Sequence, residues 1–160
     1  METRIEMLPE KQLIGKSIRM SLANNKIGEL WRSFQINKSA ISNAIGTDLY
    51  SIQVYDDASY FENFNPQTEF TKWAATEVKD IENIPNGFSS LVIPEGLYAV
   101  FLHKGTVGEF QKTFQHIFTQ WLPNSDYEID NRPHFELLGE KYKNNDPNSE
   151  EEVWIPVKKK

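Results

Sequence analysis

Arg132-Pro133-His134-Phe135-Glu136-Leu137-Leu138, a polar, acidic loop at 144–152 and the closing Val153-Trp154-Ile155-Pro156-Val157 decide the fold. Two β-forming runs, predicted at 135–142 and 152–157, flank turn residues and read as a hairpin. A helix precedes it, since Phe110, Phe114, Ile117, Phe118 and Trp121 recur at helical spacing. Thr106 followed by Glu109 is a capping-box signature, and Pro123 marks the stop. Before that helix, 97–103 reads as a strand. The order is strand, helix, strand, loop, strand.

The same order occurs once earlier. Strands are predicted at 12–20, 49–55 and 70–78, with a polar hairpin loop at 56–68 that reads as solvated. Ile27, Leu30, Trp31 and Phe34 set a helical stripe, with Asn24 or Asn25 as its cap. Lys72-Trp73-Ala74 matches Val153-Trp154-Ile155, and Leu49-Tyr50-Ser51-Ile52 matches Phe135-Glu136-Leu137-Leu138. Extra strands are expected near 5–8 and 88–93. The chain therefore reads as α+β: two pseudo-two-fold-related βαββ lobes, antiparallel sheets, and one long helix per lobe. The lobes span about 1–80 and 88–160, within a single domain over 1–160. A lone βαββ unit leaves one sheet face uncovered, so the ligand cleft is expected between the lobes.

Composition narrows the function. The 160 residues suit one domain, and 39% hydrophobic with 12% aromatic content supports a packed core. A net charge of -6 disfavours direct nucleic-acid binding and anionic membranes, and favours cationic partners. The absence of cysteine removes disulfides, zinc-thiolate sites and thiol nucleophiles. No signal peptide or membrane-length apolar run is visible, so a cytoplasmic location is expected. His103, His116 and His134 lack metal-ligand spacing, and no Gly-rich phosphate loop or Gly-x-Ser-x-Gly elbow occurs. No metal and no cofactor are expected.

Glu136 is the residue that asks for an explanation. Strand alternation puts it opposite Phe135 and Leu137, on the face of His134 and Leu138. On a half-exposed sheet it would simply meet solvent. Turned into a lobe junction, its charge would be poorly solvated and would recruit a proton or a cationic ligand. Tyr50, Trp73, Tyr98, Phe101 and Trp154 lie in neighbouring strands and could wall such a site. Rings of this kind hold cations and flat apolar groups. Ordinary core filling is the competing reading for each ring.

The element order, Gly96-Leu97-Tyr98-Ala99-Val100-Phe101, Arg132-Pro133-His134-Phe135-Glu136 and the closing Val153-Trp154-Ile155-Pro156-Val157 together resemble the GyrI-like small-molecule-binding family. That family includes effector-binding domains of AraC-type and multidrug-responsive transcription regulators, and stand-alone proteins likened to the DNA gyrase inhibitor. The resemblance runs from about residue 5 to 157. It implies a hydrophobic cleft with aromatic walls, a key acid falling on Glu136, and lipophilic, often cationic ligands. Where the family often carries an aromatic residue two positions after the glutamate, this chain has Leu138. The candidate ligand-binding set is Glu136, Tyr50, Trp73, Tyr98, Phe101, Trp154, Trp31 and Leu138. No DNA-binding domain is expected, because only two long helices are visible and neither is basic. The expected function is a stand-alone sensor or sequestering protein for a drug-like effector. The first alternative is a hydrolase of strained cyclopropane-bearing or other xenobiotics, using Glu136 with Tyr50 or another tyrosine. The second is a protein-interaction module such as a gyrase modulator, with a homodimer or protein partner left open.

Overall fold

The computed structural model describes residues 2–160. The chain runs β1 (Thr3–Leu8), β2 (Lys11–Met20), α1 (Ile27–Asn37), β3 (Leu49–Val54), β4 (Phe70–Glu77), β5 (Ser89–Ile93), β6 (Gly96–Lys104), α2 (Val107–His116), β7 (Tyr127–Ile129), β8 (His134–Leu138) and β9 (Glu150–Lys159). Runs rich in β-branched and aromatic residues set the strands, and central β4, β6 and β9 are buried on both faces over much of their length. The apolar stripe Leu30/Phe34 buries α1. Asn25 Oδ1 accepts the Ile27 N–H at 2.9 Å, so one of the two expected asparagines serves the helix start, from one position before the N-cap. Thr106 does occupy the N-cap of α2, but its side chain makes no capping bond. A π-type turn, Ile117–Trp121, extends α2 towards Pro123. β8 ends at Leu138, short of the predicted 142, where the chain turns.

All pairings are antiparallel. Strands follow one another in the order β1-β6-β9-β8-β3-β4-β2-β5, with β7 added on β9. The two βαββ units thus join directly through β3 and β8, with Ser51 opposite Glu136. Separate sheets were expected; a single continuous sheet is found. The flanking strands are also exchanged. β1 pairs with β6 of the second unit, and β5 pairs with β2 of the first.

This order forces curvature. β1 and β2 are six positions apart along the sheet, ~29 Å if it were flat at about 4.8 Å per strand. Yet only Pro9 and Glu10 join them, and that link reaches no more than about 11 Å. Pro94 and Glu95 impose the same constraint on β5 and β6. The sheet must therefore curl until its ends approach. Leu8 of β1, Leu13 of β2 and Ile93 of β5 accordingly share one buried cluster with Tyr98, Phe135, Trp154 and Trp73. The helices lie on the outer, convex face: α1 over Ile14, Ala74 and Phe88, and α2 over Ala99, Phe101 and Ile155.

Candidate functional site

The middle of the convex face, between the two helices, belongs to β3, β4, β8 and β9. Strand alternation sends Gln53, Lys72, His134, Glu136 and Glu151 to this face. Glu136 is buried at 9% exposure, and Lys72 at 3%. Gln53 Nε2 donates to Glu136 Oε1 at 3.1 Å. Burial pushes the Glu136 carboxyl above its ordinary range, opposed by the Lys72 charge and the Gln53 bond. Burial pulls Lys72 down, opposed by Glu136 and Glu151. Glu151 is raised to about 7, first by burial and then by the Glu136 charge. His134 is lowered to about 3 by burial, reinforced by Arg132, so it is neutral at physiological pH.

Rings cover this polar floor. The connection between β3 and β4 was expected to be solvated, but it folds back as a 3-10 turn, Ala58–Phe61. Tyr60 is buried with Met20 and Phe70, and Tyr55 and Phe61 pack against them. Phe61 stacks on Phe118 at 4.8 Å and 9°, and on His134 at 5.1 Å and 23°. Tyr55 meets His134 edge-on at 4.9 Å. Burial drives the Tyr55 hydroxyl well above its ordinary range, with the Glu136 charge adding to it. Aromatic surface outweighs the loop's Asp, Asn and Ser content, because each buried ring removes a large apolar area from water. Among the described residues, no cluster suited to a metal ion occurs.

The structure distributes the sequence-predicted residues over both sheet faces. Tyr50, Trp73, Tyr98 and Trp154 lie inside the curled sheet, on the face opposite Glu136. Trp154 stacks on Phe135 at 5.2 Å, and Tyr98 donates its hydroxyl to the Pro133 carbonyl at 2.7 Å. Phe101 packs edge-on to Trp121 beneath α2. Trp31 is half-buried on α1 beside Phe34. Of the predicted strand residues, Phe101 and Leu138 share the face of Glu136, Phe101 beneath α2 and Leu138 half-buried. The pairing of Tyr50 with Glu136 was a register slip. Ile52 pairs with Trp73 and Phe135 with Trp154, so Gln53, one residue on, is the counterpart of Glu136. An odd slip changes the sheet face. Tyr55, Tyr60, Phe61, Lys72 and Glu151 were missed. Four rings in the segment 55–64 and a lysine inside the apolar run 70–78 were the available signals.

A charged, ring-capped floor between two helices on a curled antiparallel sheet can be compared with known proteins. A family model described as a GyrI-like small molecule binding domain matches residues 1–158. The chain belongs to this family. The GyrI-like chain is 28% identical over 159 residues to the transcriptional regulator BrlR of Pseudomonas aeruginosa, covering 98% of this chain. It spans 56% of the length of that curated relative. The structure of SAV2435 bound to tetraphenylphosphonium superposes with a TM-score of 0.75 at 17% identity, covering 99% of this chain and 94% of that one. EcmrR in a DNA complex matches with a TM-score of 0.74 at 18% identity, over 99% of this chain and 58% of that one. These likenesses establish the shared fold. Among the described residues, no helix is long and apolar enough to cross a membrane.

Proposed function

We propose that this GyrI-like domain captures a lipophilic organic cation on its convex face, with Glu136 as counter-charge. The observation that carries the reading is the buried Glu136 carboxylate. Among the described residues it has one hydrogen bond, from the Gln53 amide, and Phe61 and Tyr55 pack on His134 beside it. Burial of this carboxylate outweighs what the Gln53 amide and the Lys72 charge return to it, and a cation in that weakly screened setting supplies the deficit. Rings above it offer stacking and cation-π contact. Tetraphenylphosphonium, bound by the structural relative SAV2435, is a molecule of this chemistry.

The turn over the floor is tightly packed. Phe61 occupies the slot between Phe118 and His134, and Tyr55 and Tyr60 close its sides. Ligand entry therefore requires the 3-10 turn to lift and its rings to give up those contacts. Such order-to-open coupling suits an effector sensor, because occupancy changes the shape of one surface segment. The hydrolase alternative loses Tyr50, which points into the opposite face, as partner of Glu136; Tyr55, whose hydroxyl feels the Glu136 charge, is the tyrosine on that side.

Titration calorimetry of Glu136→Gln with methyltriphenylphosphonium and its neutral counterpart triphenylphosphine oxide tests the reading. The cation is expected to lose about tenfold or more in affinity, and the neutral molecule little. Equal losses for both would refute the counter-charge role.

A further inference from the structure

Lys72 has no role yet in this scheme. It lies on β4 opposite Gln53, whose amide holds Glu136. It is 3% exposed, faces Glu136 of β8 and Glu151 of β9, and is influenced by both. Among the described residues its ammonium makes no hydrogen bond and no ion pair within 4.0 Å. An ammonium has three donors and no acceptor, so a buried one is stabilised only by bringing an acceptor to it. The floor thus presents two buried poles of opposite sign, a carboxylate and an ammonium.

The charge balance selects the ligand. Glu136 and Lys72 set groups of opposite sign on one buried floor, each influencing the other. A bare monocation placed against Glu136 would meet the like charge of Lys72 in a weakly screened site. A molecule carrying both signs would leave the balance intact and satisfy both poles. We propose that Lys72 is a specificity-determining residue, and that the ligand is a lipophilic zwitterion. Its cationic centre sits against Glu136 and its anionic group against Lys72. This rests on the counter-charge reading of Glu136.

A dye pair separates the two claims. Tetramethylrhodamine with a free carboxylate is a zwitterion, and its methyl ester is a monocation on the same ring system. Fluorescence polarisation at pH 7 would give both affinities for the unmodified chain, Lys72→Met, Lys72→Gln and Glu136→Gln. The unmodified chain is expected to bind the free acid about tenfold more tightly than the ester. Either lysine variant is expected to reverse that order, strengthening the ester and weakening the acid. Two different replacements guard against one misfolding, and a lysine with a merely structural role would leave the acid-to-ester ratio unchanged. An unmodified chain preferring the ester, or a ratio unmoved in both lysine variants, overturns the zwitterion proposal. If Glu136→Gln still weakens both dyes in that case, the counter-charge reading survives alone. Indifference of both dyes to Glu136→Gln, or binding of neither by the unmodified chain, removes both.

Discussion

Phe61→Ala should weaken the fold and tighten ligand binding together. The ring makes four aromatic contacts, with Phe118, His134, Tyr55 and Tyr60. Full burial would make its truncation cost about 3 to 5 kcal/mol; half-burial brings that to about 1 to 3. In a chain of this length the melting temperature should drop by roughly 3 to 10 °C. The affinity argument uses only the two stacked contacts that opening must break, those with Phe118 and His134. At about 0.5 to 1.5 kcal/mol each, the closed state loses about 1 to 3 kcal/mol of advantage. Methyltriphenylphosphonium should then bind about five- to a hundredfold more tightly. Thermal unfolding and calorimetry on the same preparation measure both quantities. A fall in affinity would show that Phe61 is a wall of the occupied site, and the plug argument would be refuted.

Other expectations follow from the same geometry. Glu151 has a folded-state pKa near 7 against an ordinary 4.5, so the folded form holds its proton more tightly. Stability should therefore fall as pH rises from about 4.5 to 7, and urea unfolding of Glu151→Gln should show a flatter profile across that window. Tyr98→Phe removes the buried bond to the Pro133 carbonyl and should cost about 1 to 2 kcal/mol of stability. Because Tyr98 lies on the inner face, cation affinity by calorimetry should not change; a tenfold loss would contradict the face assignment. Gly15→Ala would set a Cβ 2.1 Å from the Ala74 carbonyl oxygen, a backbone atom at the heart of the β2–β4 ladder. Destabilisation of about 1 to 3 kcal/mol or more should appear as a lowered melting temperature, and an unchanged one would mean the strands can part at little cost.

Much of the architecture was legible because both βαββ units carry strong local signals. Trp73 and Trp154 do occupy matching ladder positions, and helical stripes at Leu30/Phe34 and Phe110/Ile117 were correctly placed on the sheet. Alternation was enough to put Glu136 opposite Phe135. It could not say which aromatic residues join it, since a match of four residues tolerates a slip. That slip carried Tyr50 to the wrong face. The aromatic set was chosen for ring content within strands, and Tyr50, Trp73, Tyr98 and Trp154 fill the inside of the curl. The rings that meet the carboxylate come from a turn rich in Asp and Asn, where composition argues for solvent and packing overrules it. Exchange of β1 and β5 left no trace in the pattern either. An edge strand shows the same alternation whichever neighbour it pairs with, and only the two-residue links Pro9-Glu10 and Pro94-Glu95 constrain it.

That exchange has a consequence for biosynthesis. Thr3–Leu8 leaves the ribosome well before Gly96–Lys104, its ladder partner among the described residues. At about 5–20 residues per second, the segment waits several seconds before that partner is made. Throughout the delay Ile5, Met7 and Leu8 have no native mate, and an unpaired apolar edge invites association with other chains. Arg4 and Glu6, alternating with them, are the gatekeeping charges that keep the waiting segment dispersed until the ring of strands can shut.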